Sequence, residues 1–123
     1  MKTISLSIAQ RLQLVAFLNT FQGKSYETLV QVWKLIDKVS ITEEERNSIG
    51  LKIEGTQITW DMSKAEDLNV EFSLDEEKVF NDEFERVSKE NKLDVSQYNL
   101  AQIYIKLKQP KEEVESSSPA GLN

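Results

Sequence analysis

The stretch Leu51-Lys-Ile-Glu-Gly-Thr-Gln-Ile-Thr-Trp60 decides the fold. Leu51 and Ile53, then Thr56, Ile58 and Trp60, alternate with Lys52, Glu54, Gln57 and Thr59. A period of two argues for strands, because successive side chains of an extended chain point to opposite faces. Taking Glu54-Gly55 as a two-residue hairpin loop opposes Ile53 to Thr56 and Leu51 to Ile58. Both pairs then share one face, so the hydrophobic alternation and the turn agree on register. Beyond a polar stretch over 61–67, Leu68, Val70, Phe72 and Leu74 alternate with Asn69, Glu71 and Ser73. This predicts a third strand, and with the hairpin a small three-stranded antiparallel sheet.

Outward from the hairpin the period changes. Upstream, Thr42 with Glu45 has the form of a capping box, in which a hydroxyl and a carboxylate satisfy the free amides of a helix start. Glu43, Glu44 and Glu45 suit the positive end of that helix's dipole, and Gly50 is a natural terminator, so the helix is short. Before it, Ser7 with Gln10 opens a helix over about 8–20, with Ile8, Leu12, Val15 and Leu18 at helical spacing. Ser25 caps a second helix, whose apolar positions are read as Tyr26, Leu29, Val30, Trp33, Ile36 and Val39, with Lys34, Asp37 and Lys38 outward. The short link between the two implies an antiparallel pair. Downstream, Ser73 with Glu76 opens a helix to about 90, with Val79, Phe80, Phe84 and Val87 on one face. Asp94 with Gln97 opens the last helix, which Pro110 stops.

The fold class is therefore α+β: an antiparallel helix pair, a short third helix, a three-stranded antiparallel sheet and two C-terminal helices. Residues 1–108 are expected to form a single domain. Residues 109–123, rich in Glu and Ser and nearly devoid of apolar side chains, are expected to be a disordered tail.

Composition removes most chemistry. Among 123 residues there is no His and no Cys. Disulfides, thiolate metal sites, thiol nucleophiles and the commonest general base are gone together. The acids of Glu43-Glu44-Glu45, Asp75-Glu76-Glu77 and Asp82-Glu83 fall at helix starts or on solvated faces. Adjacent carboxylates on a helix do not converge on one site. No Asp-rich calcium loop, no activated serine and no glycine-rich phosphate loop is present. The sequence offers no catalytic, cofactor-binding or metal-ligating set, and no enzyme is expected.

Net charge is −6, unevenly placed: residues 1–38 carry five basic and two acidic side chains, residues 39–123 ten and nineteen. Met1-Lys2 followed by Ile4, Leu6 and Ile8 resembles a signal peptide only briefly. Ser5, Ser7, Gln10 and Arg11 interrupt the apolar run, and a cytoplasmic protein without a membrane segment is expected. Trp33 and Trp60 lie on predicted apolar faces. Burial of Trp60 would make Trp60→Ala cost about 3–5 kcal/mol.

Six segments carry a family resemblance: Ile8-Ala-Gln-Arg-Leu-Gln-Leu-Val-Ala-Phe-Leu18, Leu29-Val-Gln-Val-Trp-Lys-Leu-Ile36, Ile41-Thr-Glu-Glu-Glu-Arg46, Ile49-Gly-Leu-Lys52, Gly55-Thr-Gln-Ile-Thr-Trp-Asp61 and Leu93-Asp-Val-Ser-Gln-Tyr98. Together they resemble a family of small proteins encoded by tailed bacteriophages and prophages, over about residues 4–107. The shared motifs are structural, so the resemblance implies origin, with the host cytoplasm as location, and carries over no site residue.

The functional expectation is a non-enzymatic phage-type accessory protein acting through a protein partner or self-association. The last helix is apolar around much of its circumference, wider than one packing face needs. Leu100, Ile103, Tyr104 and Leu107 are its candidate partner surface, if they are not core. One alternative is a winged-helix-like DNA-binding regulator with Thr42–Ile49 as recognition helix, against which its carboxylates argue. The other is an acidic inhibitor of a host DNA-binding enzyme.

Overall fold

The computed structural model describes residues 2–109; the expected tail lies, from 110 onward, outside the described residues. The element order is β1 (Lys2–Leu6), α1 (Ile8–Leu18), α2 (Tyr26–Val39), α3 (Glu43–Ile49), β2 (Lys52–Glu54), β3 (Gln57–Thr59), β4 (Leu68–Phe72), α4 (Leu74–Lys89), a 3₁₀ turn Val95–Gln97 and α5 (Tyr98–Lys108). The class is α+β. The capping boxes at Ser7, Thr42 and Ser73 form as their spacing requires, and Ser25 caps α2. Asp94 caps the 3₁₀ turn, so α5 itself begins three residues later than the cap spacing suggests.

The sheet differs from expectation. The described residues hold two separate two-stranded antiparallel sheets, β1 with β4 and β2 with β3, and not a single three-stranded one. β4 leaves the neighbouring hairpin and pairs with the N-terminal strand, Ile4 opposite Val70 and Leu6 opposite Leu68. The reason is burial. Ile4, Leu6, Val70 and Phe72 share one face and are all buried, whereas the hairpin offers only three-residue strands, exposed throughout.

The hairpin register is also shifted. Ile53 opposes Ile58 and Glu54 opposes Gln57, leaving Gly55-Thr56 as the loop. Gly55 has φ +63°, and among the described residues around the loop it alone takes the left-handed region. Glycine thus sits at the first loop position, where a positive φ is needed. The expected Glu54-Gly55 loop would have asked for that conformation at Glu54, which its Cβ disfavours. The observed register aligns Ile53 with Ile58 and places Leu51 and Trp60 toward the hairpin's root. Trp60 is only half-buried, so its truncation removes less packing than full burial would imply.

One face of the β1/β4 pair is covered by helices. Leu14, Phe17 and Leu18 of α1, Val32, Leu35 and Val39 of α2, Phe80 and Phe84 of α4, and Leu100, Ile103 and Leu107 of α5 form one buried cluster with it. Phe17 meets Phe80 edge-on with ring centres 5.7 Å apart, a favoured aromatic geometry. Lysines fasten the sheet to α5. Lys2 donates to the carbonyls of Leu107, at 2.8 Å, and Gln109, placing a cation at the negative end of that helix. Lys106 donates to the Ser5 carbonyl at 2.6 Å.

Three helices converge on Arg11, which is 1% exposed. Its Nε donates to the Val39 carbonyl at 3.0 Å and one terminal nitrogen to the Ser40 carbonyl at 2.9 Å. These are acceptors that the end of α2 leaves without a helical partner. The fork also grips Glu45 at 2.7 and 2.9 Å. Glu45 in turn accepts from the Thr42 amide and so closes the capping box of α3. One guanidinium therefore joins α1, the end of α2 and the start of α3, with each of its three nitrogens hydrogen-bonded.

That contact holds the Glu45 carboxyl down to about 2, chiefly through the hydrogen bond from Arg11. Folding lowers this pKa, so its stabilising contribution is complete above the ordinary carboxylate range and is lost as pH falls toward 2. Arg11→Ala is expected to destabilise the fold by about 3 kcal/mol or more, since it strands two carbonyls and a charge. Arg11→Lys is expected to recover less than half of that, because an ammonium cannot reproduce the planar fork. Urea unfolding of both variants checks this. Wild-type stability in either would contradict the assignment.

Candidate functional site: the outer face of the second helix

Helix α2 carries two apolar stripes, and only one is used inside the molecule. Val32, Leu35 and Val39 are buried against the core. On another face, Tyr26 is 70% and Trp33 51% exposed, with half-buried Leu29 and Val30 between them. Spacings of three, four and seven residues stack these four along one side of the helix. The two rings meet edge to face, centres 6.3 Å apart at 70°. Neither ring belongs to the core cluster. Trp33, expected in the core, is corrected to the surface. Sequence periodicity chose the wrong stripe, since Tyr26, Leu29, Val30 and Trp33 satisfy helical spacing as well as Val32, Leu35 and Val39 do. The usable signal was Val32 and Leu35, apolar positions that the chosen stripe left over.

Why this face is bare follows from how α2 is held at both ends. At its C-terminus Arg11 takes the last carbonyls, while Lys38 pairs with Glu76 at 2.6 Å and donates to the Glu71 carbonyl at 2.9 Å. Before its N-terminus Lys24 pairs with Glu83 at 2.9 Å, and Arg86 grips the same carboxylate at 2.7 Å. Glu83 is held down to about 2, first by the Arg86 hydrogen bond and then by Lys24. These contacts fix the rotation of α2 about its axis. Core residues point inward and the aromatic stripe points out.

The expected partner surface on α5 lies elsewhere. Leu100, Ile103 and Leu107 are buried in the core, between α1 and the β1/β4 pair. Helix α5 is wide in apolar residues because it packs on α1, α4 and β1 together, so those three side chains are not available to a partner in this fold. Tyr104 is half-buried, stacked on Phe84 with centres 4.7 Å apart, and its hydroxyl donates to Glu85 at 2.6 Å. That bond pushes the Tyr104 hydroxyl above its usual range and holds Glu85 below the usual carboxylate range. The start of α5 is capped from outside, by Gln13 of α1 accepting from the Leu100 amide at 3.1 Å.

Other surfaces are weaker candidates. Clefts of about 480 and 750 Å3 flank the Lys24–Glu83 pair, but the cations at their junction are already matched to Glu83. No group of three or more His, Cys, Asp or Glu among the described residues could hold a metal ion. On α3, Glu43 and Glu44 are exposed, which places carboxylates where a nucleic-acid phosphate would approach. The hairpin exposes Ile53 and Ile58. Comparison with protein-family models, with curated proteins and with solved structures finds no match.

The two faces of α2 separate by mutation. Leu35→Ala is expected to cost about 2–4 kcal/mol as a core cavity. Trp33→Ala is expected to cost about 1 kcal/mol or less, as a surface truncation. Urea unfolding of the two variants measures both. Equal losses would mean that Trp33 is packed inside.

Proposed function

We propose that this chain is a non-enzymatic accessory protein, of the phage type its motifs resemble, which works in the cytoplasm of the host by binding another protein chain through the outer face of α2. The observation that carries the reading is the exposed Tyr26–Leu29–Val30–Trp33 stripe on a helix fixed at both ends. Tyrosine and tryptophan are enriched where proteins meet, because each buries a large area at little conformational cost. A continuous apolar surface on a small acidic protein is otherwise a solubility burden. Preorganisation favours association too, since α2 is already ordered and little entropy is lost on docking. No helix of the described residues is long and apolar enough to cross a membrane, which accords with a partner reached from the aqueous phase.

The test compares the full-length chain with the Tyr26→Ala/Trp33→Ala double variant, each immobilised and offered a labelled copy of the chain and a host lysate. A partner is expected to be retained by the wild type and lost, at least tenfold, by the double variant, with thermal stability matched. Retention that ignores the double variant would refute the assignment to this face.

A further inference from the structure

We propose that the occupant of the α2 face is a second copy of this chain, docked antiparallel, α2 against α2, about a two-fold axis. This rests on the reading that the face binds protein, and goes further by naming the partner. The argument is charge complementarity around the stripe. Glu27 and Lys34 are both exposed and lie on one flank of the apolar stripe, since seven residues make close to two helical turns. Neither takes part in any ion pair among the described residues. Within one helix they sit about 10 Å apart along the axis, too far to pair with each other. Elsewhere exposed helical charges one turn apart do pair within their own helix, as Lys78 does with Asp82 and Arg86 with Glu90.

An antiparallel copy supplies what each lacks. A two-fold axis perpendicular to the helices keeps the charged flank on the same side in both copies, and it reverses the order of charges along it. Glu27 of each copy then comes beside Lys34 of the other, twice per dimer. The same overlap, within about 3 Å along the axis, sets Tyr26 against Trp33 and Leu29 against Val30 across the interface. The stripe is self-complementary: aliphatic in the middle, aromatic at the ends, with Glu27 and Lys34 along one flank and the exposed Asp37 one turn beyond Trp33. Self-complementarity is the requirement of an isologous contact, in which the same patch serves both subunits.

Sedimentation of the purified full-length chain across the micromolar range tests this, with charge reversals on the exposed flank. The wild type is expected to dimerise, and to do so less as salt rises. Glu27→Lys alone and Lys34→Glu alone are each expected to weaken the dimer about tenfold. Two arms should restore it: the Glu27→Lys/Lys34→Glu double variant, and an equimolar mixture of the two single variants, whose flanks are opposite in sign. A wild type monomeric at every concentration overturns the proposal. So does a dimer indifferent to both reversals. In the monomer case, loss of a different captured protein on removing Tyr26 and Trp33 would leave the underlying reading standing, whereas capture that ignores those residues would remove both.

Discussion

A single buried guanidinium sets the geometry on which the rest depends. Arg11 is almost wholly buried, so its donors are satisfied mainly inside the protein, and unmatched donors at such a site would oppose folding. Its acceptors are two carbonyls at the end of α2 and the carboxylate that opens α3. Because the guanidinium is planar and rigid, these groups can meet it in few relative orientations. The angle between the first two helices and the start of the third are thereby fixed together. The outward rotation of α2, and with it the exposure of Tyr26 and Trp33, follows from that fixing.

Acidic side chains extend the same logic. Glu45 and Glu76 each close a capping box and then take a cation from a distant helix, Arg11 and Lys38 respectively. Glu83 ties α4 to the segment before α2. Part of the negative charge is therefore internal cement rather than a solvated face. The cations of residues 1–38 are largely its counterparts: Arg11, Lys24 and Lys38 are paired, and Lys2 caps α5. Lys34 is a cation of this half without such a role, which is what makes its position beside the aromatic stripe informative.

Local signals in the sequence transferred well to the structure. Side chain to backbone capping depends on residues three apart, and the helix starts at Ser7, Ser25, Thr42 and Ser73 were legible from those residues alone. Asn91, near which α4 was expected to end, takes φ +57° just past the end of that helix. What failed were the choices between equivalent partners. Ile4 and Leu6, flanked by Ser5 and Ser7, alternate as strands do, but the same run resembles the start of a signal peptide, and reading it so leaves β4 only the hairpin to pair with. The hairpin itself was found, but its loop was placed one residue early, because the demand for a positive φ falls on Gly55 at the first position and not the second.

The functional face was the hardest part to read, for a physical reason. Periodicity reports that a side of a helix is apolar and not what covers it, and α2 has two such sides. Carboxylates of capping boxes looked purely local for the same reason, since nothing in spacing reveals a cation on another helix. Both gaps close on contacts distant in sequence: Val32, Leu35 and Val39 enter the common core, and Arg11 takes the carbonyls that end α2 together with the Glu45 carboxylate of α3. The most direct test of the Arg11 junction is an NMR titration of the Glu45 side-chain carboxyl carbon in the folded protein. A midpoint near 2 is expected if Arg11 grips the ionised carboxylate. A midpoint near the ordinary value of about 4.3 would contradict the pair, and with it the junction that joins α1 to the start of α3.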